Sequence, residues 1–417
     1  MTQVISLLSE SNTRKYLFIP QEILEMILVR VGESVRSAQI IMLVSTEFRS
    51  LMISSLPRVV KLTVNNHKML SMFSGVKHLN VRDGEYVLVS VGMFDENVWK
   101  NMKSLKIHRR IAEQLASQYS SKRTKRYFLP SLTSLDISDE DNHEFEIPSL
   151  DISVKIFPSL RYLKLNGCRI NRLMFLHFNT LRILEIHNSS VDVRILNKIN
   201  LEDLTLLNTD FFDFPVLKCI TLRKLVVKNA RRTMGTPNHL KLDELVLSNV
   251  TRHDSLKSRI MLNIPTLRSF TFEGKNLDDW IDEKSLSELK IEELTLNGCR
   301  DEFVLRSRIK FNIPTLRSLS IKTMYKFSII ELPNLESLVL VNSILDLDNK
   351  MLENLTSLDV CTPRSNIGLD ISRQNLPNLR FIHICDESRD LDIDGMLNII
   401  LSKHHETICT GQILNTK

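Results

Sequence analysis

No C-x-x-C pair occurs anywhere in this chain, although it has six cysteines, at 168, 219, 299, 361, 385 and 409. That absence argues against a zinc site and against the dense disulfide framework of a small secreted domain. Glycine and proline are scarce, 11 and 12 in 417 residues, and 43% of the chain is apolar, which excludes a low-complexity or disordered polymer. No run approaches about 18 uninterrupted apolar residues, so no membrane span is expected. Met1 to Tyr16 lacks a basic start followed by an apolar stretch, so it does not read as a signal peptide. Charge of one sign is also missing: 55 basic against 49 acidic residues leave only +6, too little to indicate nucleic acid by itself. The sequence contains no G-x-x-x-x-G-K-[ST], G-x-G-x-x-G, H-E-x-x-H or G-x-S-x-G. The chain is read as a non-enzyme without cofactor or metal, located in the cytoplasm, the nucleus or both.

What is present is one phrase, repeated. Leu160, Leu163 and Leu165 are followed by Leu181, Leu184 and Ile186, then by Leu201, Leu204 and Leu206, restarting after 21 and 20 residues. Self-similarity at a period of about 20–29 residues marks a leucine-rich-repeat solenoid. The last two apolar residues of each triplet are two apart, so on a strand they share one face. One repeat cannot bury them alone, whereas stacked neighbours can. The phrase continues from Leu222, Leu242, Leu267, Ile291, Leu316, Leu335 and Leu355 to the copy opened by Leu379, giving eleven triplets in register from Leu160. A Pro often stands two residues before the first apolar position, as at Pro130, Pro158, Pro265, Pro314, Pro333 and Pro377. Seven residues after that position Asn recurs, at 188, 208, 229, 249 and 342, where a sharp turn off a strand suits it. The commonest form of the repeat places its Asn or Cys one residue later. The spacing predicts strands on the concave side and irregular or short helical chain on the convex side. Short helices are most expected in the longer repeats opened by Leu242, Leu267 and Ile291.

Before the repeats the periodicity is helical. Ile23, Leu24, Ile27, Leu28 and Val31 follow Pro20, and Ile40, Ile41, Val44, Phe48 and Leu51 form a second stripe. The segment Ile19-Pro20-Gln21-Glu22-Ile23-Leu24, followed by Leu43-Val44-Ser45-Thr46-Glu47-Phe48, resembles an F-box. It departs from that pattern in having Ile19 for Leu, Phe48 for Trp and no Pro-Asp turn between the helices. The resemblance covers roughly 40 residues and implies docking onto a Skp-type linker protein, and through it a cullin, by Ile19, Pro20, Ile23, Leu24, Ile27, Val44 and Phe48. It implies the role of a substrate-recognition adaptor in an SCF-type ubiquitin ligase, with an unidentified protein substrate held by the repeats. The residues alone also allow two amphipathic helices that merely cap the solenoid, which leaves a protein-interaction scaffold without a ubiquitin role.

The fold class expected is therefore α/β: an all-α F-box-like module over 16–56, a solenoid over 57–395 with irregular repeats at 57–128, and a C-terminal cap or tail over 396–417. A basic run at about 108–126 interrupts the early repeats, with Arg109, Arg110, Lys122, Arg123, Lys125 and Arg126 against Glu113. It reads as a solvated insertion, and nucleic acid is not an expected partner because no Phe or Trp is interleaved in it to stack on bases. On the concave face the candidates for binding a protein substrate are Tyr162, Lys164, Glu185, His187, Lys224, Lys228, Phe381 and His383. Among them Tyr162 and Phe381 are the natural anchors, because aromatic residues dominate interface hot spots. His383-Ile384-Cys385 places His and Cys on one strand face, but Asp386 and Glu387 beside it disfavour a nucleophilic thiolate.

Overall fold

A computed structural model describes residues 59–63, 77–82, 100–108, 112, 129–138, 157–167, 178–189, 193–209, 212–214, 217–230, 233–234, 237–250, 262–274, 288–298, 309–322, 326–341, 344–347, 352–362, 376, 378–386 and 408–413. The F-box-like segment and its seven docking residues, Ile19 to Phe48, lie outside these, as does the basic run from Arg109 onwards apart from Ala112. The chain divides into two compact units, Met1–Leu135 with Lys155–Phe157, and Asp136–Val154 with Pro158–Lys417.

In the first unit the strands Val59–Thr63, His78–Arg82 and Ser104–His108 pair in parallel and in register. In the second, twelve strands follow one another from Tyr162–Asn166 to Ile408–Ile413, each hydrogen-bonded to the strand of the next triplet. Leu163 lies opposite Leu184, Leu184 opposite Leu204 and Leu204 opposite Leu225, so equal repeat positions become lateral neighbours. The triplet residues from Leu160 to Ile382 are all 4% exposed or less. The burial alternation that recurs along these strands, half-buried then buried, is the period-2 pattern of a sheet with one core face and one open face. Each repeat is thus a supersecondary unit whose apolar row is sealed only by its neighbours. The second unit is a parallel β-solenoid.

The edges of each strand explain the recurring Pro and Asn. In many repeats the N–H of the first triplet residue donates three residues back, as Leu267 to Ile264, Leu316 to Ile313 and Leu335 to Leu332. Pro265, Pro314 and Pro333 then occupy the second position of a β-turn, where the fixed φ of proline is already correct. Immediately before the first triplet residue, Thr or Asn reaches back to a carbonyl of the preceding repeat. Thr180 donates to Leu160, Thr221 to Leu201 and Thr266 to Leu242 at 2.7–2.8 Å, while the Asn354 amide donates to Pro333 at 2.7 Å. One residue later a single carbonyl accepts two N–H groups from the next repeat, as Arg161 does from Arg182 and Ile183.

The return segments hold more strand than expected. Among the described residues a helix, Val193–Leu196, falls in a short repeat; residues 251–261, 275–287 and 299–308, where the longer repeats were expected to carry helices, lie outside the described residues. Other return segments carry strands: Phe212–Asp213 pairs with Thr233–Met234, and Ile309–Asn312, Lys326–Glu331 and Ile344–Leu347 form a three-stranded parallel sheet. The reason is local: Lys-Phe-Ser-Ile and Ile-Leu-Asp-Leu alternate apolar and polar residues at period 2, which suits a pleated surface better than a helix. The parallel sheet also runs on to Ile408–Ile413, inside the segment read as a cap.

Candidate functional site

The open face of the second unit is made of strand positions one, three and five, and two of its strands gather four of the candidate residues. Lys164 and Glu185 are register partners, as are Asn166 and His187. Lys164 Nζ lies 3.8 Å from Glu185 Oε2, and His187 Nε2 lies 3.5 Å from the same oxygen. The Tyr162 hydroxyl also donates to Glu185. Glu185 is therefore the hub, and its carboxylate orients a phenol, an ammonium and an imidazole. Burial first, then the Glu185 charge and hydrogen bond, push the Tyr162 hydroxyl far above its ordinary value, so it is a neutral donor at any physiological pH. Burial, and after it the Lys164 charge, lower the His187 imidazole below its ordinary 6.5.

The direction of the His187 shift fixes a pH dependence. The folded protein takes up fewer protons there than the unfolded chain, so this contribution is intact above about pH 6.5 and is lost as pH falls below it. Denaturant midpoints measured from pH 7.5 down to 5 are expected to fall less steeply in a His187→Gln variant than in the wild type. Equal slopes would remove His187 from the balance.

Two strands further on, Lys224 Nζ meets Glu244 Oε2 at 2.9 Å, and Lys228 stands at the far end of the same strand. Between them Val226 is 8% exposed and lies opposite Val246 in register, an apolar pair in the middle of the face. The Asp203 carboxyl beside it is raised from its ordinary value by burial, an effect that Lys224 opposes. The remaining two candidates are not part of this group. Phe381, 52% exposed, and His383 lie on a strand ten steps along the sheet from Tyr162. At about 4.8 Å per step that is on the order of 50 Å of sheet. There His383 Nδ1 contacts Asp359 Oδ1 at 3.0 Å.

Two polar networks join residues a whole repeat apart, so their side-chain contacts, unlike the recurrence of the asparagines, were not legible in the sequence. The side-chain amides of Asn188, Asn208, Asn229 and Asn249 each donate to the asparagine one repeat earlier, beginning at Asn166, over 2.6–3.1 Å. All four have positive φ, between 48° and 55°. Next in line, the Glu273 carboxylate accepts from Ser248 Oγ and Asn297 Nδ2, both at 2.6 Å. Along the opposite strand edge charges alternate repeat by repeat, as Arg182, Glu202, Arg223, Asp243, Arg268, Glu292, Arg317 and Glu336. Arg182–Glu202 at 3.3 Å and Arg317–Glu336 at 3.1 Å are closed pairs in that row.

Among the described residues no cluster of His, Cys, Asp and Glu is placed to hold a metal ion, and no helix is long and apolar enough to cross a membrane. No protein-family model and no curated protein matches the chain. Among solved structures it is similar to the chain in the crystal structure of a TLR13–ssRNA13 complex, at 15% identity and a TM-score of 0.40. That match covers 80% of this chain and 57% of the other, so this chain spans little more than half the length of that neighbour. The leucine-rich-repeat architecture itself rests on the register and burial of the triplets.

Proposed function

We propose that the chain is a protein-recognition solenoid serving as the substrate-recognition adaptor of an SCF-type ubiquitin ligase. The observation that carries the recognition half is the open face between Tyr162 and Lys228. There an aromatic residue and charges of both signs are held in place by cross-strand contacts around Glu185 and Glu244. Such pre-oriented groups lose little freedom on binding and select for a partner with a complementary mixed surface. A polyanion is a poorer fit, since Lys164 and Lys224 already face carboxylates. The adaptor half rests on the F-box-like residues, whose apolar stripe suits helix-on-helix docking onto a Skp-type linker. Catalysis by such a chain is proximity, supplied by holding a substrate beside a conjugating partner.

The full chain used as bait in a eukaryotic extract is expected to recover a Skp-type linker and a cullin. A Pro20→Ala, Ile23→Asp, Leu24→Asp variant with an unchanged circular dichroism spectrum is expected to lose both. Recovery of neither by the wild type would overturn the adaptor role and leave a repeat scaffold without a ubiquitin link.

A further inference from the structure

The last repeats bring two cysteines together that lie 24 residues apart in sequence. The strands Ser357–Thr362 and Phe381–Asp386 pair in parallel, with Asp359 opposite His383 and Cys361 opposite Cys385. Cys361 is half-buried and its sulfur is engaged in a disulfide. Register singles out the partner. Cys409 is aligned with Ile382, one strand further away and on the alternate, core-side row, whereas Cys385 is the direct lateral neighbour of Cys361. Adjacent strands at about 4.8 Å bring Cα atoms within the range a disulfide spans. Cys219, by contrast, is a buried free thiol turned onto the Ile199 and Leu201 carbonyls. It is packed as a small apolar residue.

We propose that Cys361 and Cys385 form a reversible thiol–disulfide clasp across two strands of the open face. This goes beyond the recognition role above and does not depend on it. In the oxidising direction the Cys361 thiol gives up its proton and attacks a small-molecule disulfide such as oxidised glutathione, releasing one equivalent of its thiol. The Cys385 thiolate then displaces the second equivalent from the mixed disulfide. Two protein thiols and one external disulfide become one protein disulfide and two external thiols, so electrons and protons balance. His383, held by Asp359 through Nδ1, stands two residues from Cys385 on the same strand row. In a reducing compartment a paired cysteine of this kind is a switch rather than a structural staple.

The test is a peptide map of the intact wild-type chain, equilibrated in glutathione buffers from fully reduced to fully oxidised and alkylated before digestion. Trypsin separates the two thiols, leaving Cys361 in 351–364 and Cys385 in 381–389. The expected result is a cross-linked pair of these peptides about 2 Da lighter than their sum. It should appear with a single transition in which both thiols protect together, leaving four of the six cysteines labelled after denaturation, six minus two. Dithiothreitol should restore all six. A Cys219→Ser variant should leave the transition unmoved. Cys361 linked to any other cysteine, or both thiols labelled in every buffer, would overturn the proposal. Neither outcome bears on linker or cullin capture.

Discussion

Replacing Phe270 by Ala is expected to destabilise the second unit by about 4 kcal/mol, the middle of the range for emptying a core aromatic site. The ring is fully buried and lies between Leu245 and Leu294, its register partners on the two flanking strands. The ring of Phe272, two residues on, is equally buried and touches Gly274, where an added Cβ would come within 3.0 Å of it. The surrounding side chains are buried and close-packed, so they relax only partly into the vacated space and the cavity stays largely open. Each repeat of a solenoid packs only on its neighbours. The loss should therefore be local. Amide exchange is expected to accelerate in 244–248, 269–274 and 293–298 while Tyr162–Asn166 keeps most of its protection. Phe270→Leu, which restores the residue type of the neighbouring repeats, should cost less than about 1.5 kcal/mol. Uniform loss of protection over all twelve strands would mean that the unit unfolds as one body and that the nearest-neighbour description is wrong.

The same residues show why so much of the fold was legible beforehand. Leu-x-x-Leu-x-Leu fixes both the strand and its core face, and a constant restart distance fixes which strand lies beside which. Phe270 and Phe272 are read correctly because they keep that spacing while changing size. Pro265 and Pro314 were legible as boundaries, yet their turn was not, since it is defined by a hydrogen bond between residues on either side of them. Return segments were the weakest part of the reading. Their composition is irregular, and the short period-2 pattern of Lys326–Glu331 becomes a strand with Ile309–Asn312 and Ile344–Leu347 on either side to accept and donate its backbone bonds.

The candidate site divides in the same way. That Tyr162, Lys164, Glu185 and His187 share a face follows from period 2 and was read from the sequence. That Glu185 is their common partner depends on side-chain reach across a strand gap, which no local pattern encodes. Phe381 and His383 carry the right residue types and the right face, but they belong to a different neighbourhood, one with Asp359 and Cys361 in place of Glu185.

Asn208 offers the sharpest test of what the asparagine row contributes. Its amide donates to Asn188 Oδ1 at 2.6 Å, its oxygen accepts from Asn229 at 2.7 Å, and its φ is 55°. The backbone N–H is used as well, donating to the Lys228 carbonyl at 2.9 Å. The commonest form of the repeat keeps a polar residue one position later, at the buried site that holds Thr209 here, 1% exposed. This chain instead sets an exposed Asn in the left-handed region, where only Gly, Asn and Asp sit readily, and lets the side chains bond to one another. Two contributions are thus superposed, the ladder and the backbone conformation, and three substitutions separate them. Asn208→Gly retains the conformation and removes both ladder bonds, so it should cost roughly 1–2 kcal/mol. Asn208→Ala adds about 1–2 kcal/mol of left-handed strain. Asn208→Val, β-branched at a positive φ, should be the worst of the three, at roughly 3–4 kcal/mol in total. Urea unfolding of the three variants, with Asn188→Gly combined with Asn208→Gly, supplies the cycle. A coupling of about 0.5–1 kcal/mol between the two glycine substitutions is expected for side chains in direct contact. If Asn208→Gly matches the wild type and the coupling vanishes, the ladder follows from the turn and contributes nothing of its own. If the three variants are equally destabilised, the positive φ is not retained in solution and the ladder alone holds the strand end.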